Sequence, residues 1–500
     1  MNYTTMQQIG GAFLVIAFFA LKNTINTYLT KIQSTFAFSE ALIQSANVFK
    51  NIAHQNELFF RNSETGALIG DIMYVPTAFS NGIILGYITL LTELSVLILM
   101  LLFLAFSSLY VSLLVLLFVA PAAFFSYQSI KTRVEELGKY RNSNVQQAQD
   151  ALVQSLQAHT DAVIYNRVDY FKEFFISFEK QISATDAQVF TLNSMPARLM
   201  ELFAVVAFCL LYIYSKHAGI ESTLPFSITL FVASAFRLLP SINRSLSAML
   251  RIKNHWFSID TLRAYKKINP LNQEPDVIEF KNHITLKNIE FDFAEKTICK
   301  INFFELKKGS CIGIFGNTGE GKSTFLQLML HLIPAKKGSF WVDDVLIEKD
   351  QSSSYQQLFS YIKQDVFILN ASLQENISLS READSNKVLL DDIINKLELN
   401  KLKHLLSVED SNAGEAGNKL SGGQKKLIAL ARALYFEKPI LVIDEALASL
   451  DHETTQQVLQ ILKLEHKKGK TIIIVSHQRN VFDICETIYE FKNGTLSNHR

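Results

Sequence analysis

The sequence predicts two architectures in one chain: a multi-domain protein with an α-helical transmembrane bundle followed by an α/β domain of the P-loop NTPase class. Long apolar runs fill the first half, whereas the second half has the mixed charge of a soluble domain. In the second half a short apolar run, Ile312-Gly313-Ile314-Phe315, has the length of a buried strand. It enters Gly316-Asn317-Thr318-Gly319-Glu320-Gly321-Lys322-Ser323, and an apolar-periodic helix follows. Strand, G-x-x-x-x-G-K-[ST] loop and helix in that order form a phosphate-binding device. Its glycines let backbone N–H groups converge on phosphate oxygens at a positive helix end. Lys322 supplies a point charge for the outer phosphates, and the Ser323 hydroxyl is a Mg²⁺ ligand.

Five hundred residues are too many for one core, so several domains are expected. Lys+Arg 48 against Asp+Glu 47 gives a net charge of +1, which leaves no electrostatic footprint for nucleic acid. The cysteines Cys209, Cys299, Cys311 and Cys485 lie far apart without a C-x-x-C pair. Neither a disulfide framework nor a zinc site is indicated, and thiols facing a cytoplasm fit best.

From the N-terminus, Gly11–Leu21 is apolar and short enough for a signal-peptide core, but Met1–Ile9 lacks positive charge and no small-residue cleavage site follows. It reads as a membrane helix continuing past Lys22. Gly82–Phe106 and Leu109–Phe125, separated by Ser107-Ser108, form a hairpin of spans for a ~30 Å layer. Leu199–Tyr214 and Pro225–Pro240 make five. The stretches 22–80 and 127–197 hold Lys31, Lys50, Arg61, Lys131, Arg133, Lys139, Arg141, Arg167, Lys172 and Lys180, whereas the short loops hold Lys216 alone. The positive-inside rule puts those stretches in the cytoplasm and the N-terminus outside. Helical spacing in Val145–Val163 and Tyr170–Ile182 extends the membrane helices into the cytoplasm. Past Pro240 a helix continues toward Arg263, a linker follows, and β-like runs alternate with helices from His283. The expected domains are 1–255, a linker 256–282, and 283–500.

Further along, Leu420-Ser421-Gly422-Gly423-Gln424 precedes a helical run and makes a second phosphate-binding turn. Ile440–Ile443 is a buried strand ending in two carboxylates. Asp444 suits Mg²⁺ work, and Glu445 suits orienting and deprotonating an attacking water. Thr471–Ser476 is another strand, ending at His477, a donor for a γ-phosphate. Gln364 follows the strand-like Leu358–Ile362.

These motifs, in this order, resemble the nucleotide-binding domain of an ATP-binding cassette (ABC) transporter. By that resemblance Gly316 through Thr324 is the Walker A loop, and Gln364 is the Q-loop glutamine and a Mg²⁺ contact. Ser421–Gln424 is the signature motif, Asp444 and Glu445 the Walker B pair, Ser449-Leu450-Asp451 the D-loop, and His477 the switch histidine. Ala413–Gly417 resembles an exporter segment ahead of the signature. Phe293 stands where the family usually stacks a tyrosine on adenine. The resemblance implies ATP and Mg²⁺ as cofactors. It also implies a sandwich dimer, in which one copy's Walker A loop faces the other's signature. One set of motifs per chain implies a second copy of itself or a related half-transporter as partner.

An N-terminal membrane domain with long cytoplasmic extensions resembles an ABC exporter in the cytoplasmic membrane. Phe60–Gly66 and Ala162–Phe175 match that family's coupling helices. Ala235–Arg244 and Pro196–Glu201 resemble bacterial flippases of lipid-linked oligosaccharides, which implies an anionic lipid-linked cargo; an exporter of amphiphilic drugs or free lipids, or a membrane ATPase subunit that does not itself transport, shares the same ATPase motifs. The family has six membrane helices per chain against five here, so the family's first helix has no counterpart in the expectation. Among span-borne charges, Glu93 reads as a packing residue, and Arg198 has Glu201 at i+3. Arg237 has no acid at i±3 or i±4 and is expected to act on the cargo together with Lys22 and Arg198.

Overall fold

The computed structural model describes residues 3–107, 109–217, 224–267, 277–293, 296–380, 386–403, 413–414, 417–447 and 450–498. The chain divides into one unit of Met1–Gln55 with Phe59–Pro270, and a second of Asn56–Leu58 with Leu271–Arg500.

Long helices build the first unit: α1 (Tyr3–Ala53), α2 (Thr65–Ser107), α3 (Leu109–Gln157), α4 (Val168–His217) and α5 (Leu224–Asn254), then the shorter α6 (Trp256–Lys267). Each expected apolar run lies inside one of the first five. A backbone in lipid must satisfy its own hydrogen bonds, which such continuous helices achieve. Among the described residues, Gly10–Ala53, Thr65–Ser107 and Val168–Leu210 are long and apolar enough to cross a membrane. The runs 109–125 and 225–240 lie in α3 and α5. The helix expected past Pro240 ends at Asn254 and restarts at Trp256. Two π-helical segments, Gly70–Tyr74 and Phe79–Ile84, interrupt α2.

Polar contacts set the helix register. Arg141 on α3 reaches Asp186 on α4 at 2.6 Å and lies 5.6 Å from the Tyr74 ring on α2. Lys253 on α5 meets Glu135 on α3 at 3.1 Å. A Cβ on Gly138 would stand 2.0 Å from the Asn254 carbonyl oxygen, so a side chain there would push α3 and α5 apart. Glu93 corrects its reading as a packing residue. Arg244 Nη2 donates to it at 3.1 Å, Arg244 Nε donates to its other oxygen, and the Ser241 hydroxyl donates as well. Periodicity within one helix carries no information about that partner across the bundle.

In the second unit, β1 (His283–Phe293), β2 (Lys296–Lys307), β4 (Lys337–Val342) and β5 (Val345–Leu346) form an antiparallel sheet in the order β2-β1-β4-β5. A second sheet takes β3 (Cys311–Phe315), β6 (Phe359–Ile362), β7 (Ile440–Asp444), β8 (Thr471–Ser476), β9 (Thr487–Lys492) and β10 (Thr495–Asn498) in the order β10-β9-β3-β8-β7-β6. Its strands are parallel apart from the β9–β10 hairpin. Alternation splits the core cleanly. Ile440, Val442, Ile473 and Val475 face the antiparallel sheet and α7 (Lys322–Met329). Leu441, Ile443, Ile472 and Ile474 face α8 (Gly422–Tyr435) and α9 (His452–Lys467). Phe325, Leu326 and Leu328 of α7 are fully buried, each worth about 1.5–3 kcal/mol over exposure. Residues 56–58, just ahead of the stretch 60–66 expected to couple, belong to this unit: Glu57 N–H donates to the Leu332 carbonyl at 3.0 Å.

Candidate functional site

Strand register brings the chemistry to one edge. Phe315 pairs with Ser476 and Asp444 with Val475, so β3 and β8 end level and β7 ends one residue earlier. Gly316, Glu445 and His477 each stand one residue beyond, in the crevice at the carboxyl ends where open α/β sheets bind ligands.

The phosphate-binding loop closes on its own lysine. Gly321 has φ +103°, which turns the chain into α7. Lys322, nearly sealed from solvent, donates to the Gly316 and Asn317 carbonyls at 2.8 and 2.9 Å and lies 3.3 Å from Glu445 Oε1. Three donors thus meet three acceptors, leaving the cation fully satisfied. The Asn317 N–H donates to the Glu320 carboxylate at 2.9 Å, which holds the loop's other side.

Asp444 is buried at the end of β7, and Tyr361 Oη donates to its Oδ2 at 3.0 Å. Burial pushes its carboxyl above the usual carboxylate range, opposed by the hydrogen bonds from Tyr361 and Ser323. Its Oδ1 is buried without a hydrogen-bond partner. A divalent cation fits these residues: an orphaned carboxylate oxygen with a hydroxyl beside it is the hard oxygen set that Mg²⁺ takes. Glu445 follows with φ +50°, a left-handed backbone unusual for glutamate, held by its N–H donating to the Val475 carbonyl at 2.9 Å. Its Oε1 lies 3.9 Å from His477 Nδ1. Acid, lysine and histidine therefore converge on one point.

Gln364 lies two residues past β6, the neighbour of β7, and is exposed at the same edge. Phe293 ends β1 opposite Lys296. The signature turn is a capping box: Gln424 N–H donates to Ser421 Oγ at 3.2 Å, and Ser421 N–H to Gln424 Oε1 at 2.9 Å. Asp451 caps α9, and hydrogen bonds from the Thr454 backbone and hydroxyl hold its carboxyl below the usual range. Ser449, Glu415 and Ala416 fall outside the described residues. Among the described residues, no hydrogen bond joins the signature turn to the Lys322–Glu445–His477 cluster. Tyr361 and Lys426 are two site residues missed from the sequence. Lys426 Nζ donates to the Glu445 carbonyl at 3.3 Å, tying α8 to the catalytic edge. No motif marks either residue; only strand adjacency reveals them.

Of the expected cargo residues, Lys22 on α1, Arg198 on α4 and Arg237 on α5 are all exposed. Lys22 Nζ lies 5.3 Å from the Phe19 ring. Among the described residues Arg237 makes no hydrogen bond or ion pair.

Fold and site together define an ABC half-transporter of the exporter type, an ATPase coupled to transmembrane transport. Residues 300–448 match the family model described as ABC transporter. The ATP-dependent lipid A-core flippase of Vibrio parahaemolyticus is 24% identical over 463 residues, covering 90% of this chain and 78% of that protein. The Haemophilus influenzae protein of the same name is 22% identical over 506 residues, covering 98% and 85%. A bacterial Atm1-family ABC exporter solved with ATP bound shares the fold with a TM-score of 0.84 at 19% identity, over 99% of this chain and 88% of that one.

Proposed function

We propose that the chain works as a homodimer in the cytoplasmic membrane and couples ATP hydrolysis to outward movement of an anionic lipid-linked cargo. The loop Gly316–Thr324 holds the phosphates, and Phe293 stacks on the adenine. Glu445 orients and deprotonates the attacking water, and His477 donates to the γ-phosphate. Ser323, Asp444 and Gln364 hold Mg²⁺, which when bound supplies positive charge at the outer phosphate oxygens. Ser421–Gln424 and Asp451 serve the nucleotide seated on the partner copy, in keeping with the absence of a described hydrogen bond between the signature turn and this chain's own cluster.

The cargo reading rests on Arg237, exposed on α5 and without a described partner. An unpaired charge in a span costs at least ~2.5 kcal/mol at its centre and marks a substrate path. The names of the flippase relatives agree with a lipid cargo. With the N-terminus outside, Arg237 lies some twelve residues into its span, ~18 Å along the helix and toward the cytoplasm. Lys22 and Arg198 fall on the same side, so the three cations suit a phosphate or pyrophosphate headgroup from the inner leaflet. In proteoliposomes, Arg237→Ala should abolish stimulation of the ATPase by a lipid-pyrophosphate glycan, with Arg237→Lys restoring part of it. Transport by the alanine variant at the parental rate would overturn the anionic-headgroup reading.

A further inference from the structure

The face of α5 that meets α2 carries Arg237, Arg244 and Arg251 at intervals of seven residues. Seven residues return a helix to within about 20° of the same direction, ~10.5 Å further on, so the three guanidinium groups form one stripe. On α2, Thr89 and Glu93 stand four residues apart and supply the facing groups. Arg251 Nη2 donates to Thr89 Oγ1 at 3.2 Å, while its Nε is buried without a partner. Arg244 grips Glu93 with two parallel hydrogen bonds, the fork geometry that guanidinium also offers a phosphate. Arg237 has no such partner among the described residues, although its charge also acts on Glu93. Arg244 is 47% exposed, so a ligand can reach the pair from the open side, whereas Glu93 is 14% exposed. Three cations against one carboxylate leave the stripe with a net charge of about +2.

We propose that Glu93 is a displaceable counter-ion that sets the cargo's charge. It holds Arg244 until a dianionic headgroup, a phosphomonoester or pyrophosphate, takes its place on the guanidinium. A phosphomonoester carries about −1.5 to −2 at neutral pH and matches the stripe, whereas a monoanionic diester leaves it unneutralised and does not repay the broken pair. Glu93 is thus a specificity-determining residue, and Ser241, which also donates to it, keeps the carboxylate in place. This deepens the cargo reading and rests on it.

The test measures ATPase stimulation in phosphatidylcholine vesicles doped with phosphatidic acid or with phosphatidylglycerol, with soluble glycerol 3-phosphate in a third arm. The parent protein should respond to phosphatidic acid and not to phosphatidylglycerol. Stimulation by glycerol 3-phosphate alone would assign the stripe to a free phosphate and overturn the lipid headgroup. Glu93→Gln keeps the size and the acceptor for Ser241 but removes the charge. It should lower the half-stimulating phosphatidic acid about tenfold and make phosphatidylglycerol a stimulant. Glu93→Asp should restore the parental selectivity. Arg244→Gln should raise the half-stimulating concentration, and the Glu93→Gln/Arg244→Gln pair should return it toward the parental value. A lower melting temperature in Glu93→Gln with unchanged concentration dependence and selectivity would make the pair structural and overturn the proposal alone. A parent protein deaf to phosphatidic acid would overturn the proposal and the cargo reading together.

Discussion

Lys322, Asp444 and Glu445 place three charged side chains in one nearly dry crevice, where small changes separate binding from turnover. Glu445→Gln keeps shape and loses only the base, so ATP should still bind while hydrolysis falls by at least ~100-fold. A single-turnover assay with retained nucleotide checks this, and parental ATPase activity would remove Glu445 from its role. Asp444 makes a second prediction with a definite sign. Burial raises its folded-state carboxyl above the unfolded value, so its contribution to stability is present below the unfolded pKa and is lost as pH rises through the folded one. At neutral pH the buried carboxylate therefore opposes folding. Asp444→Asn should raise the melting temperature of the Mg²⁺-free protein at neutral pH, by about 2–4 °C per kcal/mol gained. The gain should shrink on acidification, while Mg²⁺-dependent hydrolysis is lost. The Walker residues were legible because their spacing is dictated by phosphate geometry. Tyr361 and Lys426 were not, because their roles depend on which strand lies next to which.

At the scale of the element, the start of α8 does two jobs. Ser421 caps the helix through Gln424, and the same hydroxyl belongs to the turn proposed to meet the partner's nucleotide. The two jobs separate by substitution. Ser421→Ala should cost about 1 kcal/mol of domain stability through the lost cap. Ser421→Asn caps as well as serine and should melt with the parent, yet lose most turnover. A fully active Ser421→Asn variant would reduce the serine to its capping role. The strands β7 and β8 were readable from their continuous apolar runs, and the helix α7 from its apolar period. The π-helical segments of α2 and the restart at Trp256 were not, since they answer to packing such as the approach of α3 to Asn254. The Glu93–Arg244 pair shows the same limit: the reading put Glu93 mid-span and Arg244 past the span's end, yet one bidentate contact holds them level.

For the whole molecule, helix length makes orientation testable. Helix α3 has 49 residues and α4 has 50, each ~75 Å long at 1.5 Å per residue, more than twice a ~30 Å hydrocarbon layer. About 45 Å of each therefore lies outside the layer, and the positive-inside rule predicts that the part between residues 127 and 197 is cytoplasmic. Ser143 is exposed and lies 34 residues into α3, ~50 Å from its start and beyond a ~30 Å layer occupied by the apolar run that begins the helix. Thr4 lies at the start of α1, ahead of a stretch long and apolar enough to cross the layer. The three spans expected between them, Gly11–Leu21, Gly82–Phe106 and Leu109–Phe125, predict that these two positions lie on opposite sides. In a background with Cys209, Cys299, Cys311 and Cys485 replaced, an impermeant maleimide added to intact cells should label Thr4→Cys and spare Ser143→Cys until the membrane is opened. Protection of position 4 with protection of position 143 would mean an even number of crossings, and the depths assigned to Lys22, Arg198 and Arg237 would then have to be redrawn.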